Sequence, residues 1–281
     1  MTILVTGGNG QLGCSLRLAS AESSHRFIFT DVKELDVASA TAVEAFFERE
    51  KVDVVVNCAA YTAVDLAEEE EQIADIINRY AVVVLAEACK RYNATLIHIS
   101  TDYIFSGEAT TPYNEESTPA PINVYGRTKL SGERAVAESG CKSIILRTSW
   151  LYSEFGRNFC KTMQSLTATR PEIKVVADQI GTPTYAGDLA AAITYIIESN
   201  QLDKCGTYHY SNEGVCSWYD FACEIARLSG NNECEIKPCT TADYPTKAQR
   251  PRYSVLDKSK FVETFGLQIP EWKESLKRMI K

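Results

Sequence analysis

The chain has 281 residues, 45% hydrophobic and 23% charged, with 15 glycines and 9 prolines. That composition belongs to a globular protein able to bury a sizeable core, and it excludes disordered and collagen-like chains. With 29 basic against 37 acidic residues the net charge is −8, which excludes a nucleic-acid binder built on phosphate neutralisation.

In chain order, apolar strand-like runs alternate with helical spacing. A short apolar run at 3–6 predicts a strand, followed by a glycine-rich turn and a helix over 11–19. A second strand is expected at 27–30, and Val43, Phe46 and Phe47 give 38–50 a helical period. The continuous apolar run 52–58 reads as a strand buried on both faces. A long helix over 72–92, a strand at 95–100, a proline-punctuated loop, a helix over 124–138 and a strand at 143–148 complete the alternation. Repeated βα units imply an α/β, Rossmann-like, doubly wound parallel sheet.

Beyond Trp150 the rhythm breaks into a helix at 157–169, a strand at 173–176 and a turn-rich stretch at 178–184. A helix at 187–198, a strand at 207–210, a helix near 217–228 and an irregular basic segment around 250–252 follow. The expected organisation is a dinucleotide-binding unit over 1–150, joined by 173–210. A smaller interleaved lobe, for substrate, takes 151–172 and 211–281.

Ten cysteines run from Cys14 to Cys239 without a C-x-x-C pair, so no zinc spacing is present. Residues 1–8 lack the basic n-region and long apolar stretch of a signal peptide. No run approaches the ~18–20 apolar residues of a membrane span. The expectation is a cytoplasmic protein with reduced, mostly buried thiols, no metal and no membrane or nucleic-acid partner.

Three motifs carry chemistry. Gly7, Gly10 and Gly13 are spaced G-x-x-G-x-x-G at the first strand-to-helix turn, where backbone must approach a pyrophosphate and the helix N-terminus presents free N–H groups. Asp31, closing the second strand, is placed to accept from ribose hydroxyls. It repels a 2′-phosphate and so favours NADH, while nearby Lys33 offsets that repulsion, which leaves NADPH open as well. Tyr125 and Lys129 form a Y-x-x-x-K on one helix face. An ammonium close to a phenol favours phenolate and makes tyrosine a usable acid/base. Ser100-Thr101-Asp102-Tyr103 ends the fourth strand, where open α/β sheets bind ligands, and a hydroxyl there can polarise a carbonyl that Tyr125 protonates.

Glycine turn, strand-end Thr101, the Tyr125/Lys129 pair and Asn78 in the long helix resemble the extended short-chain dehydrogenase/reductase family. Segments 56–65, 100–105, 123–129, 147–150 and 178–184, with Arg250-Pro251, are similar to its dTDP-4-dehydrorhamnose reductase branch over essentially the whole chain. The resemblance implies NADH- or NADPH-dependent reduction of the C4 ketone of a dTDP-linked 4-dehydro-6-deoxy-L-sugar, giving dTDP-L-rhamnose for polysaccharide. It implies Tyr125 as proton donor, Lys129 as its tuner and ribose ligand, and Thr101 at the carbonyl. Gly10, Gln11 and Leu12 would carry the dinucleotide, and Asp31 its adenosine ribose. Asp36 and Val37 would flank the adenine, and Ala60, Tyr61, Thr62 and Ile99 the path to the nicotinamide. Asp102, Trp150 and Arg250 match substrate positions.

Sugar-nucleotide dehydratases of this superfamily place Asp then Glu after that threonine. Here Tyr103 stands in the Glu position, which disfavours elimination. The alternatives are reduction of a related dTDP-4-keto sugar, or a non-catalytic subunit of the kind that accompanies methionine adenosyltransferase. Some relatives bridge a dimer through a metal held by a Glu where this chain has Ser15, a poor ligand for a hard cation; a monomer or a homodimer built otherwise is expected. Arg147, Arg157, Lys161, Arg250 and Arg252 are candidates for the substrate diphosphate. The run 68–71 reads as a solvated acidic start to a helix, and His98 as a satisfied core histidine.

Overall fold

The structure, a computed structural model, describes residues 1–281. The first half runs β1 (Thr2–Thr6), α1 (Gln11–Ala19), β2 (Arg26–Phe29), α2 (Ala40–Glu50) and β3 (Val54–Asn57). Next come α3 (Val64–Ala67), α4 (Glu71–Asp75), a π-helical turn (Ile76–Tyr80), α5 (Ala81–Tyr92) and β4 (Thr95–Thr101). After a 3-10 turn at Asp102–Ile104 follow α6 (Val124–Ser139) and β5 (Lys142–Thr148).

The second half contains β6 (Leu151–Tyr152), α7 (Phe159–Thr169), β7 (Glu172–Val176), β8 (Ile180–Gly181), β9 (Thr184–Tyr185) and α8 (Ala186–Glu198). It ends with β10 (Gly206–His209), β11 (Cys216–Ser217), α9 (Trp218–Leu228), β12 (Glu235–Cys239), α10 (Ser259–Phe265) and α11 (Trp272–Ile280).

The central sheet is parallel, in the order β10-β5-β4-β3-β1-β2. The pleat sends alternate residues to opposite faces, and the sequence supplies apolar side chains at both parities. Ile3, Val5, Val54, Val56, Ile97, Ile144 and Leu146 bury on one face beneath α1, α8 and α10. Leu4, Val55, Leu96 and Ile145 bury on the other beneath α2, α5 and α6. A sheet covered on both sides in this way can present ligands only at its strand ends, and the crossover between β1 and β3 fixes where.

The second lobe has its own core around Tyr152, Met163, Phe221, Trp272 and Leu276. The structure corrects one boundary. β7 pairs with β12 in a separate two-stranded sheet, so the return to the first unit consists of α8, which packs beside α1, and β10, which pairs with β5. The expected helix over 72–92 is also interrupted. Its π turn buries Asn78, whose Oδ1 accepts from the Tyr61 N–H at 2.9 Å and whose Nδ2 donates to Thr128 Oγ1 at 3.1 Å. That residue ties the segment after β3 to α6.

Candidate active site

A cleft of about 580 Å³ opens over the carboxyl ends of β1, β3, β4 and β5 and reaches the second lobe. Its floor begins at the glycine turn. Gly7 has φ +62°, and a Cβ there would lie 2.8 Å from the Ala59 nitrogen, so the ends of β1 and β3 approach as only glycine allows. A Cβ at Gly13 would collide with the Gly7 carbonyl. Gly10 caps α1 without a side-chain acceptor, and no acidic residue occupies the first turn. The N–H groups of Gln11, Leu12 and Gly13 therefore have no intrahelical partner and face the cleft as anion donors. This turn fits a dinucleotide pyrophosphate.

The far wall is set by β4 and α6. Asn123 caps α6, its Oδ1 accepting from the Gly126 N–H at 2.8 Å, and its Nδ2 donates to the Gln249 carbonyl at 2.8 Å. A Cβ at Gly126 would collide with the Tyr103 carbonyl, so glycine lets α6 press against the turn after β4 and brings Tyr125 to Thr101. Burial pushes the Tyr125 phenol above its ordinary range, and the Thr101 hydroxyl pulls the other way. Lys129 is 2% exposed and donates to the Ile99 carbonyl at 2.6 Å. Burial lowers it to about 8, opposed by the Glu133 carboxylate one turn on. Burial thus favours the protonated form of the Tyr125 phenol.

Asp102 is 1% exposed. Its Oδ1 accepts from Thr101 Oγ1 at 3.0 Å, while Oδ2 has no partner at hydrogen-bond geometry. Burial raises this carboxyl to about 6, with the nearby Ser254 hydroxyl holding it down. Ser100 Oγ is likewise unpartnered, and so is His98 Nε2, although Asn57 bonds His98 Nδ1 at 3.1 Å; the histidine is half satisfied and kept neutral by burial. Buried polar atoms left without partners are uncommon, and three cluster on β4 and the residue after it.

Among the residues singled out in the sequence, Gly7, Gly10, Gln11, Leu12, Gly13, Ala60, Thr62, Ile99, Thr101, Asp102, Tyr125, Lys129, Trp150 and Arg250 line this cleft. Trp150 holds a left-handed backbone at φ +47° and stacks on Trp218 at 3.6 Å; a non-glycine residue in that region marks a constrained site. Asp31 lies at the end of β2, its Oδ2 accepting from the Asn9 N–H at 3.3 Å. Asp36 accepts from the Ala38 N–H, Val37 packs against the α2 core, and Tyr61 donates to Glu70; none of the three lines the cleft.

The arginines divide. Arg147 is buried against Glu133 at 2.7 Å and does not line the cleft. Arg250 lines the cleft, but its guanidinium holds Asp65 at 2.5 Å and Tyr103 Oη at 3.0 Å. Arg157 lines the cleft and is exposed. Lys161 donates to the Glu154 carbonyl, and Arg252 is exposed, its carbonyl accepting from Ile180. The acidic run is not merely solvated either: Glu68 accepts from the Val124 N–H, Glu69 pairs with Lys247, Glu70 with Tyr61, and Glu71 with Arg127. Glu133 and Asp65 carry no signal of their own in the sequence, because only the folded chain brings Arg147 and Arg250 to them. Ser15 is buried and donates to the Gln11 carbonyl at 3.0 Å.

Sheet order, glycine turn and the Thr101/Tyr125/Lys129 group define a nicotinamide-dinucleotide-dependent oxidoreductase with the Rossmann-like fold. The family model described as RmlD substrate binding domain matches residues 1–281. A dTDP-4-dehydrorhamnose reductase of Aggregatibacter actinomycetemcomitans is 42% identical, over 99% of this chain and 97% of that one. The crystal structure of a dTDP-4-dehydrorhamnose reductase from Clostridium acetobutylicum superposes with TM-score 0.96 at 45% identity, covering 100% and 98% of the two chains. One from Bacillus anthracis, in complex with NADP, gives 0.94 at 40% identity over 99% and 98%. The chain belongs to the dTDP-4-dehydrorhamnose reductase family. No helix is long and apolar enough to cross a membrane.

Proposed function

We propose that this chain reduces the C4 ketone of dTDP-4-dehydro-L-rhamnose to dTDP-L-rhamnose with NADH or NADPH, supplying a deoxysugar for polysaccharide. The observation that carries the reading is the convergence of Tyr125, Thr101 and Lys129 at the end of β4, across one cleft from a glycine turn with free N–H donors.

Bound there, reduced nicotinamide supplies hydride to C4. The N–H groups of residues 11–13 would hold the pyrophosphate and Asp31 the adenosine ribose. Thr101 and Tyr125 would hold the ketone oxygen, and Tyr125 gives its proton as charge develops on that oxygen. Ketone reduction needs an acid, and burial keeps this phenol protonated through neutral pH. Lys129, cationic below about pH 8, offsets the phenolate that remains and would bind the nicotinamide ribose. Asp102 and Trp150 would meet the sugar, and Arg250 the nucleotide. Residues 1–150, with α8 and β10, serve the cofactor, and the second lobe serves the sugar nucleotide.

Ten free thiols, four of them buried, support a cytoplasmic setting. Ser15, enclosed and bonded within α1, supports a monomer or a homodimer without a bridging metal.

The test follows NADH or NADPH absorbance with freshly made dTDP-4-dehydro-L-rhamnose. Oxidation with either cofactor is the expected result. Oxidation only with another dTDP-4-keto sugar would move the substrate, and no oxidation with any would leave a non-catalytic subunit.

A further inference from the structure

Gln11 opens α1 at the glycine turn, yet its side chain turns away from the first unit. Its Oε1 accepts from Ser153 Oγ at 3.1 Å and from Asn158 Nδ2 at 2.9 Å, and its Nε2 donates to the Leu151 carbonyl at 3.4 Å. Ser153 is fully buried and its Oγ also accepts from the Phe155 N–H at 3.1 Å. Asn158 donates to the Ser153 carbonyl at 2.8 Å and caps α7, accepting from the Lys161 N–H at 3.0 Å. One amide therefore gathers the whole connection from β6 to α7.

That connection forms a wall of the cleft. Arg157 and Phe159 both line it, and Phe159 packs on Trp218, the partner of Trp150, with ring centroids 4.5 Å apart. With Arg147 and Arg250 committed to Glu133 and Asp65, Arg157 is the cleft-lining guanidinium left for a diphosphate. The residue whose backbone N–H sits at the cofactor turn is thus the residue whose side chain fixes the second-lobe wall.

We propose that Gln11 is a positioning residue that couples the two ligands. A pyrophosphate seated on the turn immobilises the start of α1, its amide then holds the 151–159 wall in place, and a nucleotide diphosphate meets Arg157 already ordered. The ordering cost is met by the first ligand, so the two bind cooperatively. This rests on the reading of the cleft under Proposed function.

The test is calorimetric titration of dTDP into the intact protein, alone and with saturating NADP+, for the unsubstituted chain, Gln11→Met and Ser153→Ala. Gln11→Met keeps the backbone donor and side-chain length and loses the amide; Ser153→Ala leaves the turn untouched. The expected result is dTDP binding tightened by NADP+ by at least about fivefold in the unsubstituted chain. The same ratio should fall toward one in Gln11→Met, whose own NADP+ affinity is titrated alongside, and fall part of the way in Ser153→Ala, which leaves NADP+ binding unchanged. A ratio of one in the unsubstituted chain, or an undiminished ratio in Gln11→Met, overturns the coupling while leaving the reductase reading intact. Failure of dTDP to bind under any condition overturns the coupling, whereas the reductase reading stands or falls on cofactor oxidation with the full sugar nucleotide.

Discussion

Two buried polar groups sit side by side at the neighbouring strands β4 and β5. Around Arg147 every charge is answered: the guanidinium is bidentate on Glu133, meets His209 Nε2 at 3.3 Å, and lies over the Phe105 ring. Around Asp102 the reverse holds, with Oδ2 and the neighbouring Ser100 hydroxyl unpartnered. Both clusters are buried, and both contain residues of the kind that bind sugar nucleotides. What separates them is unspent hydrogen-bonding capacity. The satisfied cluster fixes α6 on β5, and the unsatisfied one faces the cleft.

The contrast can be broken by exchanging the consequences. Tyr125→Phe, on the cleft side, should lower kcat by roughly 10²–10⁴-fold, the usual contribution of a positioned general acid, with the unfolding midpoint nearly unchanged. Arg147→Leu should do the opposite. It leaves Glu133 buried without its bidentate hydrogen-bond partner, and urea denaturation should show about 3–5 kcal/mol of lost stability. Leucine at both Arg147 and Glu133 should restore much of that. A stable Arg147→Leu protein with a selectively raised KM for the sugar nucleotide would return Arg147 to the ligand-binding set.

Asp102→Asn is the smaller effect on the same axis. Losing a charged acceptor should cost about tenfold to a hundredfold in kcat/KM. It should also reshape the pH profile. Asp102 is ionised above about 6 and Lys129 charged below about 8, so kcat/KM should be highest between these values and fall on either side. In Asp102→Asn the acid limb should disappear while the alkaline limb near 8 remains. An acid limb that survives assigns it to another group.

The comparison also explains what the sequence could disclose. Strands β1, β3, β4 and β5 and helix α1 were legible because a doubly covered parallel sheet writes itself as short apolar runs, and glycine spacing is a local constraint. That Thr101, Tyr125 and Lys129 would share one cleft was legible because strand ends and helix faces are local patterns. The fate of the arginines was not. Arg147 and Arg250 carry the same local signal as Arg157, and only tertiary partners on α6 and α3 distinguish them. The π turn at Asn78 hides for the same reason: its cause is a side chain bonded to Tyr61 and Thr128, not a local break in helical pattern. β7 reads as one more strand of the central sheet, because the choice of β12 as its partner leaves no mark within the five residues themselves.

At the cleft beside the unsatisfied cluster, hydride should reach C4 and a proton from Tyr125 the ketone oxygen. The most direct measurement uses NADPH deuterated at the transferable position with dTDP-4-dehydro-L-rhamnose, followed by NMR of the product. The expected product is dTDP-L-rhamnose carrying deuterium at C4, formed at a rate that collapses in Tyr125→Phe. Label absent from C4, or an undiminished rate in that variant, would contradict it.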